Sequence, residues 1–293
     1  MNKNKILCII SGILVFIFIL TCIPGVGKSK SEKYSQICLV NPKSKELISS
    51  IEFQNNQTGI KLFRENNIWK GTELIEKEDS VIFPVDNKQI ESFIEKLINN
   101  RKMYKSVDEK SLNSVNQTQN SEDFYIFIEI SGNKPVKLKV SSTDFSQKNR
   151  YIKNLSDNKN SKIEWSDLDS FMHTEPRFWY DPYIIPRNIF ENDQNLQIDR
   201  VIQNINNKKK VLTDSEADFS YLKELRHGSL YAKSTSNLRT AGSYRVEYSD
   251  GNYITLNFYR YSDEDIVIEY FLPGKWNYKV FISQWTFERL LQI

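Results

Sequence analysis

The chain has 293 residues, with 40 Lys and Arg against 37 Asp and Glu. Lys3, Lys5 and Lys28 are the only charges before residue 29, which leaves 37 basic residues to balance the 37 acidic ones in everything that follows. A body with no formal net charge lacks the basic field on which nucleic-acid binding rests, so no nucleic acid is expected as a partner.

The first element is an unbroken apolar run from Ile6 to Ile23, with no charge inside it. As a helix, this segment would rise about 27 Å at 1.5 Å per residue, close to the roughly 30 Å hydrocarbon core of a bilayer. Lys3 and Lys5 on the near side hold the N-terminus in the cytoplasm by the positive-inside rule. The expectation is a cell-membrane protein, single-pass, in contact with the lipid bilayer through residues 6–23 and extracytoplasmic beyond Lys28. Two other readings compete. A cleaved secretory signal needs a small-residue site, which Thr21-Cys22-Ile23-Pro24-Gly25 does not supply. A lipoprotein signal would acylate Cys22; Ile19-Leu20-Thr21-Cys22 resembles a loose lipobox, with Thr21 where Gly, Ala or Ser is usual. An uncleaved signal anchor over residues 1–28 needs only the helix and its basic flank and is the reading adopted, with Cys22 as the candidate lipid attachment. Cys38 is the sole cysteine beyond the run, so no disulfide can form within the exported part.

Residues 29–45 are polar and read as a juxtamembrane linker. A first α+β lobe is expected over 46–172. Strands at Leu47 to Phe53 and Gly59 to Arg64 flank a turn at Asn55-Asn56-Gln57-Thr58, and a second turn at Glu65-Asn66-Asn67 leads to Trp69. Ile90, Phe93, Ile94, Leu97 and Ile98 follow the spacing of one helix face. Asp86 suits the N-cap, Gln89 completes a capping box, and Arg101 suits the C-terminal end. Residues 105–122 read as a loop. Strands follow at Phe124 to Ile130, Val136 to Val140, Tyr151 to Leu155 and Ile163 to Trp165, then a short helix at Ser166 to Phe171.

An aromatic, proline-bearing connector occupies 173–189, and a second lobe is expected over 190–293. There the order restarts: strands at Leu196 to Ile205 and Lys210 to Leu212 around Asn206-Asn207, then a helix from Ser215 to Arg226 with Phe219, Leu222 and Leu225 inward. Strands at Tyr244 to Tyr248, Tyr253 to Arg260, Ile266 to Phe271 and Tyr278 to Ile282 precede a closing helix around Trp285. The turn at Gly132 falls where the Ser249-Asp250-Gly251-Asn252 turn falls, and Ile163 falls where Ile282 falls. The fold class is therefore read as α+β: an N-terminal membrane helix, then two tandem, similar lobes of antiparallel strands with one main helix each.

The chain holds no nucleotide-binding loop, nucleophile elbow, paired-cysteine or metalloprotease motif, so no catalytic residue, cofactor or metal ligand is assigned. His173 and His227 are the two histidines, one in each half, and read as exposed or capping groups. Asp263-Glu264-Asp265 and Lys208-Lys209-Lys210 read as solvated turns, and Trp69, Trp165 and Trp285 as core residues at strand ends. Trp179, Tyr180 and Tyr183 of the connector form the candidate interface, set against a second reading in which they plug two packed lobes together.

Beyond these patterns, Ile60 to Leu97, with IKLFRENNIWKG and FPVDNKQIESFIEKL, and the C-terminal YSDGNYITLNFY and YKVFISQWTFERLL resemble the domain-of-unknown-function 4340 family. The resemblance covers most of the exported chain, although residues 107–119 lack that family's Gly-Leu and Pro step. Its members are membrane-anchored proteins often encoded beside gliding-motility-type ABC transporter components, which implies an accessory role in the bacterial envelope and supplies no catalytic residues. The function expected is an extracytoplasmic accessory protein that binds a protein partner, possible alternatives being an envelope-polymer hydrolase using carboxylates or a ligand-binding lipoprotein.

Overall fold

The computed structural model describes residues 39–74, 81–98, 105–107, 123–143, 149–164, 168–187, 189–190, 197–215, 219–272, 276 and 278–292. The 6–23 segment, Cys22, Cys38 and Trp165 lie outside them. No helix among the described residues is long and apolar enough to cross a membrane.

Two antiparallel sheets and few helices make a β-rich α+β fold. In the first sheet, β1 (Ile48–Gln54), β2 (Gly59–Glu65), β3 (Ile68–Glu73) and β4 (Phe83–Pro84) form a meander, and α1 (Asn87–Ile98) follows. After β5 (Lys105–Ser106), a second meander of β6 (Phe124–Ile130), β7 (Val136–Thr143), β8 (Asn149–Asn154) and β9 (Lys159–Glu164) returns to pair β6 with β1. The strands lie in the order β4-β3-β2-β1-β6-β7-β8-β9-β5. A 3-10 turn at Asp169–Phe171 and the single-turn α2 (Pro176–Trp179) lead into the second sheet. Its strands are β10 (Ile198–Ile205), β11 (Lys208–Thr213), β12 (Arg239–Tyr248), β13 (Tyr253–Arg260), β14 (Asp265–Phe271) and β15 (Lys279–Ser283), closed by α3 (Gln284–Leu290). They lie in the order β11-β10-β12-β13-β14-β15. The path β2-β1-β6-β7-β8-β9 is traced a second time by these six strands.

Local sequence accounts for much of this. Along β6, Phe124, Ile126, Ile128 and Ile130 are buried while the residues between them face outward, the period-2 pattern of a half-buried strand. Two-residue hairpins fall at the Asn pairs: φ is 51° and 61° at Asn66 and Asn67, and 52° and 61° at Asn206 and Asn207. Asn tolerates this left-handed conformation, and the resulting turn matches the twist of the flanking strands. Helix α1 buries Ile90, Phe93, Ile94 and Leu97. Asp86 caps it, accepting the Lys88 N–H at 2.9 Å. The capping box is only half used, because the Asp86 N–H donates to the Trp179 carbonyl at 2.9 Å. The connector therefore helps fix where α1 begins. Lys45 spans successive turns of α1, 3.2 Å from both Glu91 and Glu95. Leu39 and Val40 are buried, so packing begins ahead of residue 46.

Three expectations need correction. The helix expected at Ser215 to Arg226 does not form over its described residues; Leu222–Glu224 makes one 3-10 turn. Phe219, Leu222 and Leu225 do point inward. The Ile184 N–H, however, donates to the Leu225 carbonyl and the His227 N–H to the Pro182 carbonyl, both at 2.9 Å. These bonds pull residues 225–227 into extended pairing with the connector, which a helix would forbid. Among its described residues the second lobe thus lacks a main helix matching α1. Lys208, Lys209 and Lys210 begin the edge strand β11 instead of occupying the turn, and charged side chains there discourage edge-to-edge association. Finally, Trp69 is buried but Trp285 is 61% exposed. Thr286, Phe287 and Leu290 occupy the inward face of α3, and Trp285 falls outside it. Most of the buried apolar side chains of both lobes belong to one continuous cluster, with Tyr151 in a separate one.

Candidate functional site

The connector is built into both lobes. The Trp179 ring is fully buried, 4.6 Å from Phe53, 4.9 Å from Phe178 and 6.1 Å from Phe93, and its Nε1–H donates to the His173 carbonyl at 2.9 Å. It is a plug in the first lobe. Beyond it, the Asp181 N–H donates to the Pro84 carbonyl, and Tyr183 bridges Arg226 of the second lobe. Tyr180 is half-buried, and its hydroxyl donates to the Gly228 carbonyl at 2.9 Å. The half-buried Tyr183 ring has two guanidinium groups near it, Arg187 at 3.5 Å and Arg226 at 5.2 Å.

Asp181 organises the bend. Its carboxylate accepts the Tyr183 N–H at 3.0 Å and the Arg187 N–H at 2.6 Å. The first contact is the Asx turn that an Asp before Pro favours, so the Tyr180-Asp181-Pro182 step carried a signal for it. Burial pushes the Asp181 carboxyl up to about 6, although both N–H contacts pull the other way. Nearby, the Tyr270 and Tyr278 rings stack at 4.3 Å, and the Tyr270 hydroxyl donates to the Ile184 carbonyl at 2.9 Å.

His227, expected as an exposed or capping group, is instead buried against this bend. Its Nε2 is 2.8 Å from the Asp181 carbonyl and its Nδ1 is 2.8 Å from the Gly228 carbonyl. Both neighbours are acceptors, and a neutral imidazole has one N–H. The Gly228 carbonyl also receives the Tyr180 hydroxyl, and with two lone pairs it can accept both contacts. Burial lowers the pKa of the ring and outweighs the two carbonyls, which favour the charged form.

His227 lines an open groove of about 540 Å³ together with Arg226, Tyr261, Asp265, Phe281 and Ser283. Residues 228–231 run along the outer edge of β15. The Gly228 N–H donates to the Phe281 carbonyl at 2.7 Å, the Phe281 N–H to the Ser229 carbonyl at 2.9 Å and the Tyr231 N–H to the Lys279 carbonyl at 2.8 Å. This contact covers the sheet edge. On the other side of β15, Asp265 lies opposite Ser283. Tyr261 meets Phe281 edge-on at 5.2 Å and remains 47% exposed.

A second surface feature lies on α3. The Arg289 guanidinium is 4.9 Å from the Trp285 ring and 5.9 Å from the Tyr221 ring. This Trp, Arg and Tyr group faces solvent.

The sequence-derived candidates divide among these features. Trp179 is interior, whereas Tyr180 and Tyr183 contact the groove residues Gly228 and Arg226. His173 stacks on Phe178 at 4.1 Å, and no contact joins it to His227 among the described residues. Asp265 of the acidic triplet lines the groove, but no group of His, Cys, Asp or Glu suited to a metal occurs among the described residues. Arg226 and Tyr261 were not singled out in the sequence, since neither stands in a recognisable motif. Comparison with protein-family models, with curated proteins and with solved structures finds no match for this chain.

Proposed function

We propose that the chain is a non-enzymatic, membrane-anchored accessory protein whose extracytoplasmic body docks a protein partner in the bacterial envelope. The uncharged 6–23 run with its lysine flank supports the anchor, and the zero net charge beyond it argues against a nucleic-acid partner. The observation that carries docking is Trp285, a large aromatic group 61% exposed with Arg289 against its ring. Trp, Tyr and Arg are the residues that most often dominate protein interfaces, and this group contributes little to the core.

The body reads as two tandem lobes of common origin. Besides the repeated strand path, β1 and β6 carry a bulge between Ile48 and Ser50, and β10 and β12 carry one between Ile198 and Arg200. The resemblance to the domain-of-unknown-function 4340 family offers an ABC-type transporter component as the partner; it rests on the quoted residues alone. A carboxylate-based hydrolase is a weaker reading, because Asp265 is the sole carboxylate lining the groove among the described residues, where glycoside hydrolysis calls for a pair. The ligand-binding alternative called for a closed apolar pocket between the lobes, and the groove is open and partly polar.

The test has two parts. A C-terminal alkaline phosphatase fusion should be active, and an inactive one would reverse the topology. A photo-crosslinking residue at the exposed Glu288 should form an adduct with one envelope protein in cells, and Trp285→Ala should abolish it. Equal crosslinking with and without Trp285 would refute the docking surface.

A further inference from the structure

We propose that the groove beside β15 binds a small zwitterion, an amino acid or short peptide, with Arg226 taking its carboxylate and Asp265 its ammonium group. The site is distinct from the α3 surface and does not depend on the docking reading.

The two charges are held in place but have no opposite charge of their own. Arg226 has no carboxylate partner among the described residues. Its guanidinium lies 5.2 Å from the Tyr183 ring and donates to the Tyr183 hydroxyl at 3.3 Å. Tyr183 is itself fixed by its N–H bond to Asp181 and by Arg187 on its ring. A guanidinium has five N–H donors in a planar fork suited to a carboxylate, and most remain available here. Asp265 has no cationic partner among the described residues. Its carbonyl accepts the Tyr261 and Ser262 N–H groups at 3.0 and 3.1 Å, so the turn fixes its backbone. Among the described residues its carboxylate receives only the Ser262 hydroxyl, at 3.4 Å.

These opposite charges line one groove without pairing with each other. The reason lies in the sheet: β15 has β14 and Asp265 on one side and residues 228–231 on the other, with Arg226 two residues ahead of that segment and paired to Tyr183 of the connector. Two strand spacings put β14 and the 228–231 segment about 10 Å apart, and Arg226 and Asp265 both line the groove. A molecule carrying both charges would bridge them. Also lining the groove, the Ser283 and Thr286 hydroxyls, bonded to each other at 2.9 Å, offer neutral polar contacts. The exposed Tyr261 ring offers an apolar wall for a side chain. The volume of about 540 Å³ falls in the range of small-molecule sites.

The test is calorimetric titration of the full chain in detergent with free L-alanine, L-alanyl-L-alanine, and the dipeptide with either an acetylated N-terminus or an amidated C-terminus. Binding by either zwitterion supports the site, and the tighter of the two identifies the source as free amino acid or peptide. Each blocked dipeptide should bind at least about tenfold more weakly, the size of effect expected from losing one charge-assisted contact. Arg226→Gln should erase the penalty for amidation alone, and Asp265→Asn the penalty for acetylation alone. Arg226→Lys, which keeps the charge and loses the fork, should restore part of the amidation penalty and guards against misfolding of the Gln variant. Absence of binding by both zwitterions, or equal binding of the blocked forms, would overturn the proposal.

Discussion

Replacing Trp179 by alanine separates the plug from the interface reading of the connector. The ring is fully buried among Phe53, Phe93, Phe171 and Phe178, and its N–H is bonded to the His173 carbonyl. Truncation of a buried Trp costs about 3–5 kcal/mol through lost transfer energy and an unfilled cavity. The lost hydrogen bond adds about 1 kcal/mol. Against a total stability of about 5–15 kcal/mol, this is a large fraction. At about 2–4 °C per kcal/mol for a body of this size, the melting temperature should fall by roughly 10 °C or more. Trp179→Phe retains an aromatic ring and loses the N–H, so it should fall between alanine and the unaltered chain. Trp285→Ala is the control, expected within about 0.5 kcal/mol because that side chain is largely exposed. The assay is thermal unfolding of the full chain in detergent. If Trp179→Ala proved no more damaging than Trp285→Ala, the plug assignment would be wrong.

Two further outcomes follow from the same structure. Folding favours the protonated form of Asp181, whose carboxyl rises from 3.8 to about 6, so its contribution is full below about pH 4 and declines as pH rises toward 6, by about 3 kcal/mol in all. His227 acts in the opposite sense: its pKa is lowered on folding, so its contribution is lost as pH falls below the ordinary histidine value of 6.5. Urea unfolding of the unaltered chain and of Asp181→Asn across this range isolates the aspartate, because the histidine contribution cancels in the difference; a difference that does not change with pH would rule out the assignment. On α1, Leu97→Ala should cost about 2–5 kcal/mol. Glu95→Ala, which removes an exposed contact to Lys45, should stay within about 0.5 kcal/mol; a larger effect at Glu95 would invert the assigned helix face.

The sequence by itself determined the features that depend on neighbouring residues. The spacing of Ile90, Phe93, Ile94 and Leu97 specifies the buried face of α1, because side chains three and four apart share a side of any helix. Alternation specifies β6, and the Asn pairs specify two turns, because these reflect backbone preferences within a few residues. Tertiary structure decided the rest. Residues 219–225 have the inward apolar spacing of a helix, yet Leu225 and His227 exchange backbone bonds with Pro182 and Ile184, some forty residues earlier in the chain. Trp285 resembled a core residue by its position at a strand end, and only the packing of Thr286, Phe287 and Leu290 turned it outward. The candidate groove was illegible for the same reason. Arg226, Tyr261, Asp265 and Ser283 come from separate stretches of the chain, and the course of β15 between its two neighbours brings them together.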